Sequence, residues 1–245
     1  MQTLILTDNP FAAALAKELQ ASYSGLEVYQ SPTGSLADLP KLSVKKNLAN
    51  ILARYQLVIS IHCKQIFPAD LVNQIRCINV HPGLNPYNRG WFPQVFSIIN
   101  GMPSGVTIHE IDEQLDHGAI ICQQEYKIEA WDTSGSAYEK IMALERELVL
   151  KHFDSLLRGD YPTTQPEISG NLNLKKDFDQ LKEIELDQVG TYGKLINRLR
   201  ALSHGDFKNA YFFDAAGNKV FVKIVLTLDA GTGSTSELSQ RILRA

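Results

Sequence analysis

The stretch Gln74-Ile75-Arg76-Cys77-Ile78-Asn79-Val80-His81-Pro82-Gly83 decides the fold of this chain. Its apolar run reads as a buried strand, and Pro82-Gly83 stops it. Side chains alternate between faces along a strand, so Asn79 and His81 point the same way. The pair then projects from a strand's carboxyl end, where open α/β sheets keep their sites.

Upstream, Thr3–Thr7 is a short apolar strand closed by Asp8-Asn9-Pro10, and Ala12–Leu19 follows as a helix with Pro10 near its first turn. Leu26–Tyr29 reads as a second strand and Gln56–Ile61 as a third, with helical spacing of apolar residues over Leu42–Tyr55 between them. A short helix over Leu71–Arg76 leads into the Asn79 strand. Strand and helix in alternation imply right-handed crossovers and a mostly parallel sheet. No G-x-G-x-x-G follows the first strand, so a Rossmann-like fold is expected without its dinucleotide fingerprint.

Downstream, Pro93–Asn100 is predicted to be a helix with Gly101 past its end, and Ser104–Glu110 and Ala119–Ile128 to be strands flanking a loop that holds Asp116. Asp132 or Thr133 caps a long helix with Ala137, Ile141, Leu144, Leu148 and Leu156 on one face. Pro162, Pro166 and Gly170 mark a connection. Beyond it, Gly193–Leu202 reads as a helix, and Ala210–Phe213 with Lys219–Leu226 as a hairpin around Asp214–Asn218. The expected class is α/β, a Rossmann-like mostly parallel sheet over residues 1–165, with a small α+β extension over 166–245 that contains the hairpin. Gly231–Ser236 reads as a loose stretch.

The chain has 245 residues, 44% hydrophobic and 21% charged, with a formal net charge of −3. That is an ordinary globular composition without the basic footprint of polynucleotide binding. No apolar run is long enough to span a membrane, and the N-terminus reads as a strand rather than a signal peptide. Cys63, Cys77 and Cys122 are scattered, which argues against a disulfide framework or zinc site and for a reducing cytoplasm.

An amide, an imidazole and a carboxylate (Asn79, His81 and Asp116) are the parts needed to move an acyl group onto an amine. Tyr87–Pro93 follows as a polar and aromatic loop suited to holding a ligand. His109 and His117 lie among Glu110, Asp112, Glu113 and Asp116, but H-E-x-x-H does not occur, and no metal is expected.

With these motifs in order (Asn79-Val80-His81-Pro82, Pro86-Tyr87-Asn88-Arg89-Gly90-Trp91-Phe92-Pro93 and Leu115-Asp116-His117-Gly118), the chain resembles the N10-formyltetrahydrofolate-dependent formyltransferases. The likeness is good over roughly residues 55–155 and weaker elsewhere. An acidic chain disfavours the tRNA-directed branch. Arg198, Arg200, His204, Phe207, Asn209 and Tyr211 resemble an element of sugar-nucleotide formyltransferases, and the 85–93 loop is most similar to enzymes acting on dTDP-linked 4-amino-4,6-dideoxyglucose.

The resemblance implies transfer of a formyl group from N10-formyltetrahydrofolate to such an amino sugar, for surface polysaccharide (O-antigen) synthesis. A 3-amino or UDP-linked sugar, or hydrolysis of the donor, are the alternatives. His81 would act as base, with its pKa raised by Asp116, and Asn79 would donate to the formyl oxygen. The folate is placed by likeness near Cys63, Gln65, Ile66, Phe67, Asp112 and Leu115, with Cys63 unreactive. The sugar nucleotide is placed near Asn9, Tyr87, Arg89, Trp91, Arg198, Arg200, Phe207, Asn209 and Tyr211. Several readings stay open. Arg89 holds pyrophosphate or braces its loop, and Tyr87 and Trp91 meet the sugar or anchor the loop. Arg198 and Arg200 bind substrate or are surface charges, and Phe207 and Tyr211 stack on thymine or belong to the core. A homodimer, with the hairpin as a contact, is also implied.

Overall fold

The computed structural model describes residues 1–229; Gly231–Ser236 lies outside them. In chain order the elements are β1 (Thr3–Leu6), α1 (Pro10–Ser22), β2 (Leu26–Tyr29), α2 (Leu48–Arg54), β3 (Leu57–Ile61), α3 (Ala69–Val72), β4 (Arg76–His81), β5 (Arg89–Gly90), α4 (Pro93–Asn100), β6 (Ser104–Glu110), β7 (Ile120–Tyr126) and α5 (Ser134–Arg158). After these come β8 (Leu172–Asn173), α6 (Lys175–Leu181), α7 (Tyr192–Leu202), β9 (Ala210–Phe213) and β10 (Lys219–Val222).

The main sheet has the order β2-β1-β3-β4-β6-β7. The first four strands are parallel, and β6 and β7 run antiparallel to complete the edge. β1 and β3 are buried at every position, as central strands covered on both faces must be. On one face α1 and α5 close a core with Ile5, Ile59, Ile61, Ile78 and Val80 beneath Leu15, Ile141, Leu148 and Phe153. On the other, Leu4, Leu6, Val58 and Cys77 pack under Ile51, Phe67 and Leu71. Each such aliphatic side chain contributes roughly 1.5–3 kcal/mol when fully buried.

Thr133 caps α5, accepting from the Ser136 amide while Ser136 Oγ accepts from the Thr133 amide, and Gly159 ends the helix at φ 73°. A third cluster joins Val95, Phe96 and Ile98 of α4 to Phe178, Ala201, Leu202 and Ala210, so the C-terminal segment shares a core with α4. β9 and β10 form the hairpin there.

Three local expectations are corrected. The helix expected over Leu42–Tyr55 begins only at Leu48, because Gln30 bridges to Lys41 and Asn47 Nδ2 donates back to the Ser43 carbonyl. The α3 helix expected over Leu71–Arg76 spans Ala69–Val72, since Arg76 already belongs to β4. The second hairpin strand stops at Val222, where its partner β9 runs out at Ala210. α6 and the β5–β8 pair, which no sequence period announced, are additional. No helix among the described residues is long and apolar enough to cross a membrane.

Candidate active site

Two strands and a loop converge on one carboxylate. β4 delivers Asn79 and His81, two residues apart and therefore on one face. β6 lies antiparallel beside it and sets His109 opposite Asn79 and Thr107 opposite His81. The loop between β6 and β7 brings Asp116 back over this edge in a left-handed conformation, φ 47°. Asn79 Nδ2 donates to Asp116 Oδ1 at 2.9 Å and faces His109 Nε2 at 3.2 Å. His81 Nδ1 sits 3.6 Å from Asp116 Oδ2, a charge contact longer than a hydrogen bond. His81 Nε2 is buried and has no hydrogen-bond partner among the described residues.

Asp116 is also held from the loop before α4. The Gly90 amide donates to its Oδ2 at 3.0 Å, and Asn85 Nδ2 donates to its carbonyl at 2.9 Å. Gly90 has φ 88°, and a Cβ there would lie 2.4 Å from the Asn173 carbonyl oxygen, so glycine is required. Gly83 is required for space: a Cβ would approach His81 Nε2 to 2.5 Å.

Burial pushes the His81 imidazole down to about 4, although Asp116 opposes this. Asp116 does pull it upward, as expected, but the net direction is the reverse: loss of water around a fully enclosed ring outweighs one carboxylate at charge-contact distance. Burial alone would raise Asp116, but His81, His109 and the Gly90 amide hold its carboxyl well below the usual carboxylate range. The site thus pairs a neutral imidazole with a firmly ionised carboxylate, an arrangement suited to accepting a proton and stabilising the cation it creates.

A family model described as formyl transferase matches residues 4–152, and one described as N-formyltransferase dimerization C-terminal domain matches residues 177–228. The chain belongs to the formyl transferase family. It is 60% identical to the dTDP-4-amino-4,6-dideoxyglucose formyltransferase of Mycobacterium tuberculosis (strain ATCC 25618 / H37Rv) over 92% of this chain and 97% of that one. A crystallised 4-N formyltransferase from Francisella tularensis superposes with a TM-score of 0.87 at 40% identity, covering 93% of this chain and 98% of that one. A formyltransferase from Anoxybacillus kamchatkensis, solved with UDP-4,6-dideoxy-4-formamido-L-AltNAc and tetrahydrofolate, gives 0.59 at 26% identity, covering 74% and 89%.

Around the trio, the residues expected for the formyl donor fall on two adjoining loops. Cys63 and Phe67 after β3 pack in one cluster with Ile111 after β6. Burial pushes the Cys63 thiol up to about 11, so it is not a thiolate at neutral pH. Gln65 ties its loop to the 42–44 segment, accepting from the Val44 amide and donating to the Leu42 carbonyl. Ile66 and Leu115 are exposed, and Asp112 pairs with His117 Nδ1 at 2.7 Å.

The residues expected for the sugar nucleotide divide more sharply. Trp91 and Phe207 are exposed, and Tyr87 is half-buried. Asn9 caps α1 through Oδ1 and donates through Nδ2 to the Tyr138 hydroxyl. Arg89 reaches the Leu115 and Ser169 carbonyls and so braces its own loop. Arg200 is buried, with Nη1 donating to the Glu129, Ala130 and Asp132 carbonyls. Arg198 donates to the Leu181 and Glu183 carbonyls, and Asn209 to that of Leu202. Tyr211 lies in the hairpin, its hydroxyl donating to Glu183. Sequence reasoning missed Asn85 and the Gly90 amide as partners of Asp116. It treated His109 only as a metal candidate, since the register of β6 on β4 has no signal in the chain.

Proposed function

We propose that this chain transfers the formyl group of N10-formyltetrahydrofolate to the 4-amino group of dTDP-linked 4-amino-4,6-dideoxyglucose, yielding a sugar for surface polysaccharide such as O-antigen. The observation that carries the reading is the convergence of Asn79, His81 and Asp116 at one sheet edge. The extent of likeness to the mycobacterial enzyme supports the choice of sugar. The folate donor supplies an activated formyl group. The residues fit it: an enclosed, unpartnered imidazole nitrogen lies at the sheet end where the chain leaves β3 toward Cys63 and Phe67.

A neutral His81 accepts a proton at Nε2 as the new C–N bond forms, when the amine nitrogen has become acidic enough for so weak a base, and returns it to N10 of the folate as the bond between formyl carbon and N10 breaks and tetrahydrofolate leaves. Asp116, ionised throughout, stabilises the imidazolium. Asn79, whose amide nitrogen faces Asp116 and His109, turns one of its hydrogens to the charge that grows on the formyl oxygen. The three cysteines are free, which supports the cytoplasm as the compartment. The C-terminal segment is assigned to a homodimer contact, supported by the description of its family model and by exposed Phe213 and Phe221 on the hairpin.

The test mixes enzyme, donor and dTDP- or UDP-linked amino sugars and reads N-formyl product by mass. Formate release without that product would make the protein a hydrolase. His81→Asn and Asn79→Ala should abolish transfer with melting curves unchanged; more than a tenth of the wild-type rate in either counts against the reading.

A further inference from the structure

A second imidazole–carboxylate pair sits one strand away from the catalytic trio. In the parallel register of β3 on β4, Ile61 pairs with Val80, so His62 follows where His81 stands on the neighbouring strand. Simple alternation would turn His62 to the face of Val58 and Ser60. Its backbone instead adopts φ 56°, and His62 Nε2 meets Glu145 Oε2 of α5 at 2.8 Å. A non-glycine residue in that region is strained and persists only where its surroundings hold it.

Glu145 is equally unusual. It is buried on the face of α5 that otherwise presents Ile141, Met142, Leu148 and Val149 to the core. An ionisable group there is costly without a partner. His62 Nδ1 makes no hydrogen bond among the described residues, and the His62 side chain keeps 12% exposure, so the ring is not fully enclosed. From this pair a track of polar and aromatic groups leads away. The Tyr138 ring is 6.3 Å from His62, and Tyr138 also holds Asn9. His204 lies 5.4 Å from Tyr138, and exposed Phe207 lies 5.7 Å from His204.

We infer that His62 and Glu145 receive the acceptor's amino group beside His81 and take up the proton that an ammonium must lose before it attacks, an inference that rests on the formyl-transfer reading above. The N–H bond of the ammonium breaks, its electron pair stays on nitrogen, and the proton passes to His62 Nδ1. Glu145 stabilises the imidazolium, which returns the proton to solvent between turnovers. His81, enclosed and weakly basic, does not take a proton from a free ammonium, whereas it does take one from the amine once that is bonded to the formyl carbon. An acceptor that is cationic at its amine and carries an aromatic base at its far end matches a track with a carboxylate at one end and an exposed phenyl ring at the other.

The groups facing His62 are Glu145 and Tyr138 from α5, His81 from β4 and Asp8 from the turn after β1, whose amide donates to the His62 carbonyl. Burial pushes Tyr138 up to about 12, so it stays neutral near pH 7. Initial rates of Glu145→Gln and His62→Gln, with dTDP-4-amino-4,6-dideoxyglucose and the folate donor, test the pair. At neutral pH each should lower kcat/KM for the amino sugar at least tenfold while the donor KM changes less than twofold. The deficit should shrink as pH rises toward that of the free amine. A deficit independent of pH, or an equal change in both KM values, would overturn the inference. Wild-type protein supplies a readout needing no variant: it should bind the amino sugar at least tenfold more tightly than its 4-hydroxy counterpart, and equal affinity also overturns it. Active wild type with unaffected variants removes this pair alone, whereas wild type that forms no N-formyl sugar removes the substrate assignment as well.

Discussion

Asn79 and His109 face each other across β4 and β6 with 3.2 Å between amide nitrogen and imidazole Nε2. His109 Nδ1 lies 2.7 Å from the Glu110 carbonyl oxygen, which accepts only from a protonated nitrogen. Nδ1 is thus the donor nitrogen, and the lone pair of an unprotonated Nε2 accepts from Asn79, which together with Asp116 fixes how that amide is turned. His109→Phe leaves Asp116 alone to orient the amide. We expect kcat to fall about ten- to a hundredfold, consistent with an orphaned polar group costing roughly 1–3 kcal/mol, with both KM values nearly unchanged. Steady-state kinetics check this, and wild-type kcat would remove His109 from the positioning machinery.

Gly90 joins loop to carboxylate. Gly90→Ala meets both a positive φ and a backbone oxygen at 2.4 Å, so the turn must shift and the hydrogen bond to Asp116 lengthen. A loss of about 1–3 kcal/mol in denaturant titration is expected. Activity should drop further than stability alone explains, and a variant as stable and active as wild type would contradict this geometry.

Acid should destabilise the fold through His81. In the unfolded chain this imidazole titrates near 6.5, in the folded one at about 4, so between those values the unfolded state binds more protons. Stability contributed by the buried neutral ring is full above about 6.5 and falls as pH drops through the window, by roughly 2 kcal/mol from pH 7.5 to pH 5. Asp116, held low, keeps its contribution until more acidic pH. Melting His81→Asn beside wild type over this range should give the shallower dependence for the variant; parallel curves would refute it.

Arg200 and Phe207 should separate structure from binding. Arg200→Ala strips donors from three carbonyls of the turn before α5 and should cost about 2–4 kcal/mol, read as a lowered Tm. Phe207→Ala removes an exposed ring and should leave Tm nearly unchanged while raising KM for the sugar nucleotide and not for the donor. An unaltered KM would take Phe207 off the acceptor's path.

The chain's own periodicity settled much of this protein. Short apolar runs defined β1 to β4, Pro82-Gly83 ended the strand that presents Asn79 and His81, and Asp132-Thr133 marked the start of the helix that roofs the sheet. These are local effects, each written in a few neighbouring residues. Only the tertiary structure decided what those residues meet. The register of β6 on β4 put His109 against Asn79, enclosure made His81 a weak base against the pull of Asp116, and a left-handed turn at His62 aimed its ring at Glu145, 83 positions away. Register, desolvation and contacts between distant segments depend on how separate pieces pack, and no stretch of the chain encodes them alone.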